Sequence, residues 1–274
     1  MNTPTETEGS EAEMSKMMIK TLVALAMIAV CVPIAIIGGI PMKILLAAIA
    51  CMAAWETANL FHKNSYIMAA LDFAAIAGIW FVPTTHLAAV IALWLVILFT
   101  IELLDENITT DLVAYSFLMT MLTGLAIRCV QFIYADQATA VYVLLYIAFA
   151  CFGCDTGAYF FGVAFGKHKM IPRVSPNKTW EGSIGGYATG AILSFVFAMF
   201  FCKHLPMGLL VSASLILPAV AQIGDLAFSS IKRRFGIKDL GNLFPGHGGI
   251  LDRVDSIIFC LMVFSGLLIV WGLA

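Results

Sequence analysis

Three aspartates near the C-terminus, Asp225, Asp252 and Asp255, flank a segment rich in Lys, Arg and Gly, "IKRRFGIKDLGNLFPGHGGILDRVDS". Asp252 and Asp255 lie three residues apart, which predicts one shared helix face, with Ser256 one turn from Asp252. Asp225, Ser229 and Lys232 repeat at four and three and again predict one face. Two helices joined by this segment can therefore present carboxylates to a common point. Carboxylates that stay ionised in a low dielectric need cations, and acidic pairs completed by phosphate oxygens are a usual way to hold Mg²⁺. The same segment offers Lys232, Arg233, Lys238 and Arg253 to neutralise phosphates, the arginines by bidentate contact. Glycines around His247, including Gly248 and Gly249, allow close backbone approach and N–H groups that can line an anion site. A helix opening near residue 251 adds its positive dipole end at that place. The chemistry implied is phosphate transfer on an amphiphile. A second polar segment, "GKHKMIPRVSPNKTWEGS", follows Asp155 and repeats the pairing of charges with Lys178 and Glu181.

The elements that must position these groups are helices in a membrane. Hydrophobic residues make up 61% of the 274 and charged residues only 12%. Apolar runs of about 20 residues, enough to cross a bilayer as helix, recur from Thr21 almost to the end. An all-α polytopic integral membrane protein is expected, with spans near 19–39, 42–62, 65–82, 85–104, 110–132, 137–165, 182–203, 206–231 and 251–273. Residues 1–18 read as a polar, disordered tail. Residues 19–150 read as N-terminal membrane helices, and 151–274 as the helices that carry the chemical loops. Seven Cys, mostly in apolar runs, imply no disulfide framework, and Cys151 and Cys154 read as small packing residues. No nucleic-acid partner is expected.

Basic residues set the orientation, because loops on the cytoplasmic side carry excess Lys and Arg. Ten of the fifteen lie between Lys167 and Arg253. Placing 166–181 and 232–250 inside puts the N-terminus in the cytoplasm and leaves only Lys43, Arg128 and Lys203 outside. Glu56, Asp72, Asp155, Asp225, Asp252 and Asp255 then all fall in the cytoplasmic half of the membrane. An ion path would string acids across the whole depth. Acids gathered at one face favour a site over a conduit.

Simpler roles stand beside these. The basic loops could serve as topology determinants alone, and Asp252 and Asp255 could merely cap a helix N-terminus. Glu56 and Asp72 could be paired polar groups that hold helices together. Asp225, well inside an apolar run, has no such explanation. Trp180 reads as an interfacial anchor.

The stretch from Ser229 to Ser256 resembles the C-terminal hallmark of the phosphatidate cytidylyltransferases, or CDP-diacylglycerol synthases. Ser229, Lys232, Arg233, Lys238, Asp239, His247, Gly248, Gly249, Asp252, Arg253 and Asp255 fill its fixed positions. Asp155 and "SPNKTWEG", with Ser175, Pro176, Lys178, Thr179, Glu181 and Gly182, resemble the upstream block of the same family. The resemblance is strong over about 155–256 and general before that. It implies reaction of CTP with phosphatidate to give CDP-diacylglycerol and pyrophosphate, dependent on Mg²⁺ and open to a second, monovalent cation. It further implies an inner-membrane protein with its site facing the cytoplasm, and a homodimer. In this reading Asp225, Asp252 and Asp255 hold the metal, the basic side chains and His247 hold phosphates, and Asp155, Ser175, Lys178, Thr179, Glu181 and Ser229 complete the substrate site.

Three alternatives differ in what they consume. A CTP transferase acting on an ether-linked isoprenoid lipid phosphate would share the chemistry. An ion-coupled transporter would consume no nucleotide. A CDP-alcohol phosphotransferase would need a D-G-x2-A-R-x8-G-x3-D-x3-D pattern, which is absent.

Overall fold

The computed structural model describes residues 6–243 and 248–273. Among them are nine α-helices: α1 (Glu6–Ile37), α2 (Gly39–Ala58), α3 (Ser65–Phe81), α4 (Leu87–Leu104), α5 (Thr110–Ile133), α6 (Gln137–Phe165), α7 (Trp180–Phe201), α8 (Met207–Arg234) and α9 (Leu251–Val270). Among the described residues seven helices are long and apolar enough to cross a membrane, with shorter apolar stretches at Leu25–Ile37 and Ser65–Phe81. Helix α1 runs back to Glu6 through the segment expected as a tail; its Glu and Met residues are strong helix formers. The turn from α1 to α2 is made by Gly38 and Gly39, whose φ angles of 63° and 54° disfavour side chains with a Cβ.

One element is not helical. Strands β1 (Lys169–Ile171) and β2 (Ser175–Thr179) pair antiparallel, Lys169 opposite Thr179 and Ile171 opposite Ser175. Pro172 follows β1 in a turn closed by Val174 N–H donating to the Ile171 carbonyl at 3.1 Å, the position where Pro pre-sets a turn. This hairpin lies where the sequence suggested only a loop.

Successive helices alternate in direction, and cross-links at each end of the bundle show it. At one end Arg234 Nη2 reaches Asp111 Oδ2 at 2.6 Å, and Arg233 Nε donates to the Val174 carbonyl at 3.3 Å. At the other, Tyr134 Oη donates to the Ala35 carbonyl at 2.6 Å, and Arg128 Nη1 caps α3 at the Val82 carbonyl at 2.7 Å. The β-hairpin, the residues 235–243 that follow α8 and the start of α9 thus share one end, the polar end.

Two buried apolar clusters hold the bundle. The larger joins α2, α5, α6, α8 and α9 around Tyr146, Phe228 and Phe264; the smaller joins α3, α4 and α5 around Met68, Ile79 and Leu98. Helices α6 and α7 pack along small residues, as membrane helices do when backbones approach closely. A Cβ on Gly190 would stand 2.6 Å from the Ala150 carbonyl, and one on Gly186 2.5 Å from the Cys154 carbonyl. Gly190→Val is accordingly expected to destabilise the protein by about 1–3 kcal/mol through overpacking, read as a lower melting temperature in detergent; an unchanged melting temperature would show that the seam can open without cost. Cys151 and Cys154 are buried and unpaired with any disulfide partner, as packing residues should be.

Candidate active site

The polar end carries the charged groups, and they sort into two sets. The first surrounds a cavity of about 580 Å³ between α6, β2, α7 and α8, with Asp155, Lys178, Thr179 and Asp225 in its wall. Asp225 lies nine residues before the end of α8, and its Oδ2 is ion-paired with Lys178 Nζ from β2. Ser229, one turn on, donates to Asp225 Oδ1 at a long 3.5 Å. Asp155 from α6 and Asp255 from α9 lie within electrostatic reach of Asp225 and of each other, and Arg253 and Lys232 act over the same range on Asp155 and Asp255 respectively. Asp255 Oδ1 also accepts from Ser256 N–H at 2.7 Å.

The second set fixes the segment that links α8 to α9. Asp252 is 7% exposed and its oxygens are taken by protein donors. Oδ1 accepts from Lys232 Nζ at 2.7 Å, while Oδ2 accepts from Leu240 N–H at 2.8 Å and Gly249 N–H at 3.0 Å. Gly248, at φ 78°, makes the turn before it; a Cβ there would stand 2.9 Å from Asp252 Oδ2. Asp252 and Asp255 therefore face different tasks despite their spacing: Asp252 is bound by the loop's amides, and Asp255, bonded to Ser256, stays within electrostatic reach of Asp225. The next two amides, of Ile250 and Leu251, donate to Glu56 of α2 at 2.7 and 3.0 Å. The anion expected at the α9 N-terminus is thus supplied by the protein's own carboxylates, Asp252 and Glu56. Phosphate binding at the polar end must therefore rely chiefly on side chains.

Other expected residues are engaged in holding the fold, and all but Thr179 stand apart from the cavity. Arg233 braces the hairpin and the end of α8, through the Val174 carbonyl and the Ile237 carbonyl at 3.1 Å. Glu181 is turned to its own hairpin, accepting from Lys167 N–H and His168 N–H at 3.2 Å each and meeting His168 Nδ1 at 2.5 Å. Thr179 caps α7 by accepting from Gly182 N–H at 3.1 Å. Ser175 starts β2 opposite Ile171. Lys238 is exposed on the loop, and Asp239 lines a second cavity of about 590 Å³ against Glu56. His247 lies outside the described residues. Glu56 and Asp72 do not pair with each other: Asp72 accepts from Ser116 Oγ of α5 at 2.6 Å.

The sequence reading missed Gln222 and Ser183. Both lie in the wall of the first cavity, joined by a short Ser183 Oγ to Gln222 Oε1 bond and by Gln222 Nε2 donating to the Ser183 carbonyl at 2.8 Å. The available signal was spacing, since Gln222 stands three residues before Asp225 on the same helix face.

Among the described residues no three acidic, His or Cys side chains form a ready metal cage. Mg²⁺ does not need one, because it is commonly held by one or two carboxylates and substrate phosphates. Asp225 fits that pattern: a cation, the Lys178 ammonium, already stands at its oxygen, and two further carboxylates are its neighbours.

These features define a polytopic membrane protein with a charge-paired cleft at one end of its helices, suited to a phosphorylated ligand at the lipid boundary. Residues 18–271 match the cytidylyltransferase family, and the chain belongs to that family. It is 34% identical over 262 residues to the phosphatidate cytidylyltransferase of Staphylococcus haemolyticus (strain JCSC1435), covering 92% of this chain and 99% of that protein. The proteins of the same name from Staphylococcus aureus (strain COL) and Staphylococcus saprophyticus are 34% and 33% identical over the same shares of both chains.

Proposed function

We propose that this protein transfers the cytidylyl group of CTP to phosphatidate, giving CDP-diacylglycerol and pyrophosphate. The observation that carries the reading is the cleft at Asp225 and Lys178, in a chain aligned along nearly its whole length with phosphatidate cytidylyltransferases. A phosphate oxygen of phosphatidate attacks the α-phosphorus of CTP, forming a new P–O bond. The bond from that phosphorus to the bridging oxygen breaks, and pyrophosphate leaves with the electron pair. Phosphate monoesters are largely ionised near neutrality, so no strong general base is needed.

The residues act mainly by placing charge, as in phosphoryl chemistry generally. Lys178 exchanges its Asp225 partner for a phosphate oxygen when the nucleotide arrives, which frees Asp225. Arg253 neutralises further phosphate charge near Asp155, while Lys232 stays paired with Asp252 and steadies the segment before Asp255. Mg²⁺, when bound by Asp225 with Asp155 and Asp255 nearby, would supply Lewis-acid stabilisation of the phosphate oxygens. Asp252 acts by holding the α8–α9 segment rather than by offering a free oxygen. The excess of Lys and Arg at the polar end supports a cytoplasmic site and N-terminus, in a bacterial inner membrane.

Purified protein given phosphatidate, Mg²⁺ and each nucleoside triphosphate in turn is expected to release pyrophosphate with CTP alone. Equal release with all four would reject cytidylyl transfer. Release only with an ether-linked isoprenoid phosphate would move the substrate and keep the chemistry.

A further inference from the structure

Glu56 lies on α2, 194 residues before the amide it meets, and is 3% exposed. Its two oxygens take consecutive N–H groups at the start of α9, Ile250 at 2.7 Å and Leu251 at 3.0 Å. Helix α9 has no cap of its own: its N-cap residue, Ile250, offers no side-chain acceptor. The first amides of a helix need acceptors and favour an anion. Together with Asp252, which takes Gly249 N–H, Glu56 satisfies three amides in a row.

The fit around this carboxylate is close on both sides of the loop. A Cβ on Gly249 would come within 2.4 Å of the Glu56 carboxylate, and one on Gly241 within 2.6 Å of Oε1. Glycine at these two positions is what lets the backbone close around the acid. The residues set by this contact are those immediately following it, Asp252, Arg253 and Asp255. A shift of α9 at its first turn moves all three relative to Asp225 and Lys178, and displacements on the ångström scale are costly to catalysis.

We propose that Glu56 is a positioning residue for the reaction, the N-terminal half's fastening for the loop and helix that complete the site. The inference rests on the proposed function for its catalytic consequence, while the fastening itself is measurable without turnover. Glu56→Gln keeps the size but offers one acceptor oxygen and turns an N–H₂ toward a buried N–H. Glu56→Asp keeps an acceptor-only carboxylate and loses one methylene. If the acid acts as acceptor, the Asp variant outperforms the Gln variant; a role in filling space alone ranks them the other way.

Hydrogen exchange by mass spectrometry on peptides spanning 248–255, with CDP-lipid formation in the same detergent, tests this. Glu56→Gln is expected to speed exchange at Ile250 and Leu251 by about tenfold or more and to lower turnover by about tenfold to a hundredfold, leaving peptides of α6 and α7 unchanged. Glu56→Asp is expected to fall between Gln and the parent in both measures. Unchanged exchange in Glu56→Gln, or faster exchange with parental turnover, overturns the proposal. So does a Gln variant more active than the Asp variant. If the Gln variant does not accumulate, comparison of the Asp variant with the parent still decides: parental exchange and turnover there overturn the proposal. A parent that forms no CDP-lipid while exchange responds as expected would instead reject the assigned reaction and leave the fastening in place.

Discussion

Asp225→Asn is expected to lower CDP-diacylglycerol formation by about a thousandfold, roughly 4 kcal/mol of barrier. The side chain faces the cavity, and its charge is balanced by Lys178. Asn has the same shape and can still accept from Ser229, so the helix has no reason to move. It removes the negative charge that compensates Lys178 and that would hold a cation on the triphosphate. Lys178 would then bind nucleotide without an acidic partner, so the loss should fall on kcat more than on CTP binding. Initial rates with labelled CTP, beside the melting temperature in detergent, check this. A variant within about threefold of the parent would remove Asp225 from the mechanism.

Asp252→Asn is expected to abolish turnover by a different route, with the protein still inserted. Here the acid and its partner Lys232 are almost wholly enclosed, at 2% and 11% side-chain exposure. Breaking a buried ion pair from one side costs about 3–5 kcal/mol, because the remaining charge has no partner. An Asn oxygen can accept from Leu240 and Gly249, but its amide then points at the Lys232 ammonium. The melting temperature should therefore fall together with activity, unlike that of Asp225→Asn. Adding Lys232→Met removes the stranded charge and should recover most of the lost stability, since removing both members of such a pair is often near neutral. Turnover should stay low, because Lys232 is also a neighbour of Asp255. An Asp252→Asn protein as stable as its parent would free this aspartate for direct metal ligation.

The helices were largely legible in the sequence. Long apolar runs and strong breakers set α5 and α6 almost to the residue, at 110–133 and 137–165, because hydropathy and turn chemistry agree there. Helical spacing foreshadowed carboxylates from α8 and α9 turned to a common point, while Asp155 and Lys178 were picked out by the second polar loop and the family resemblance. Spacing does not reveal where a carboxylate in a first turn points, and Asp252 and Asp255 part company for that reason. Asp252 is captured by loop amides that exist only once Gly248 and Gly249 have turned the chain. Glu56 left no local sign of its partner, since nothing near it in sequence marks a bond to Ile250. The β-hairpin was missed because its strands are too short for an alternating pattern to stand out.

The Lys178–Asp225 contact bears on the membrane as an insulator. A bilayer that stores a voltage or a proton gradient cannot tolerate naked charge among its helices, where each stray ion or water file becomes a short circuit. By meeting one another across the cleft, the ammonium of Lys178 and the carboxylate of Asp225 cancel each other's charge within the bundle. On the proposed reading, a nucleotide would unlock the pair by supplying its own charge, so the protein need never become a leak.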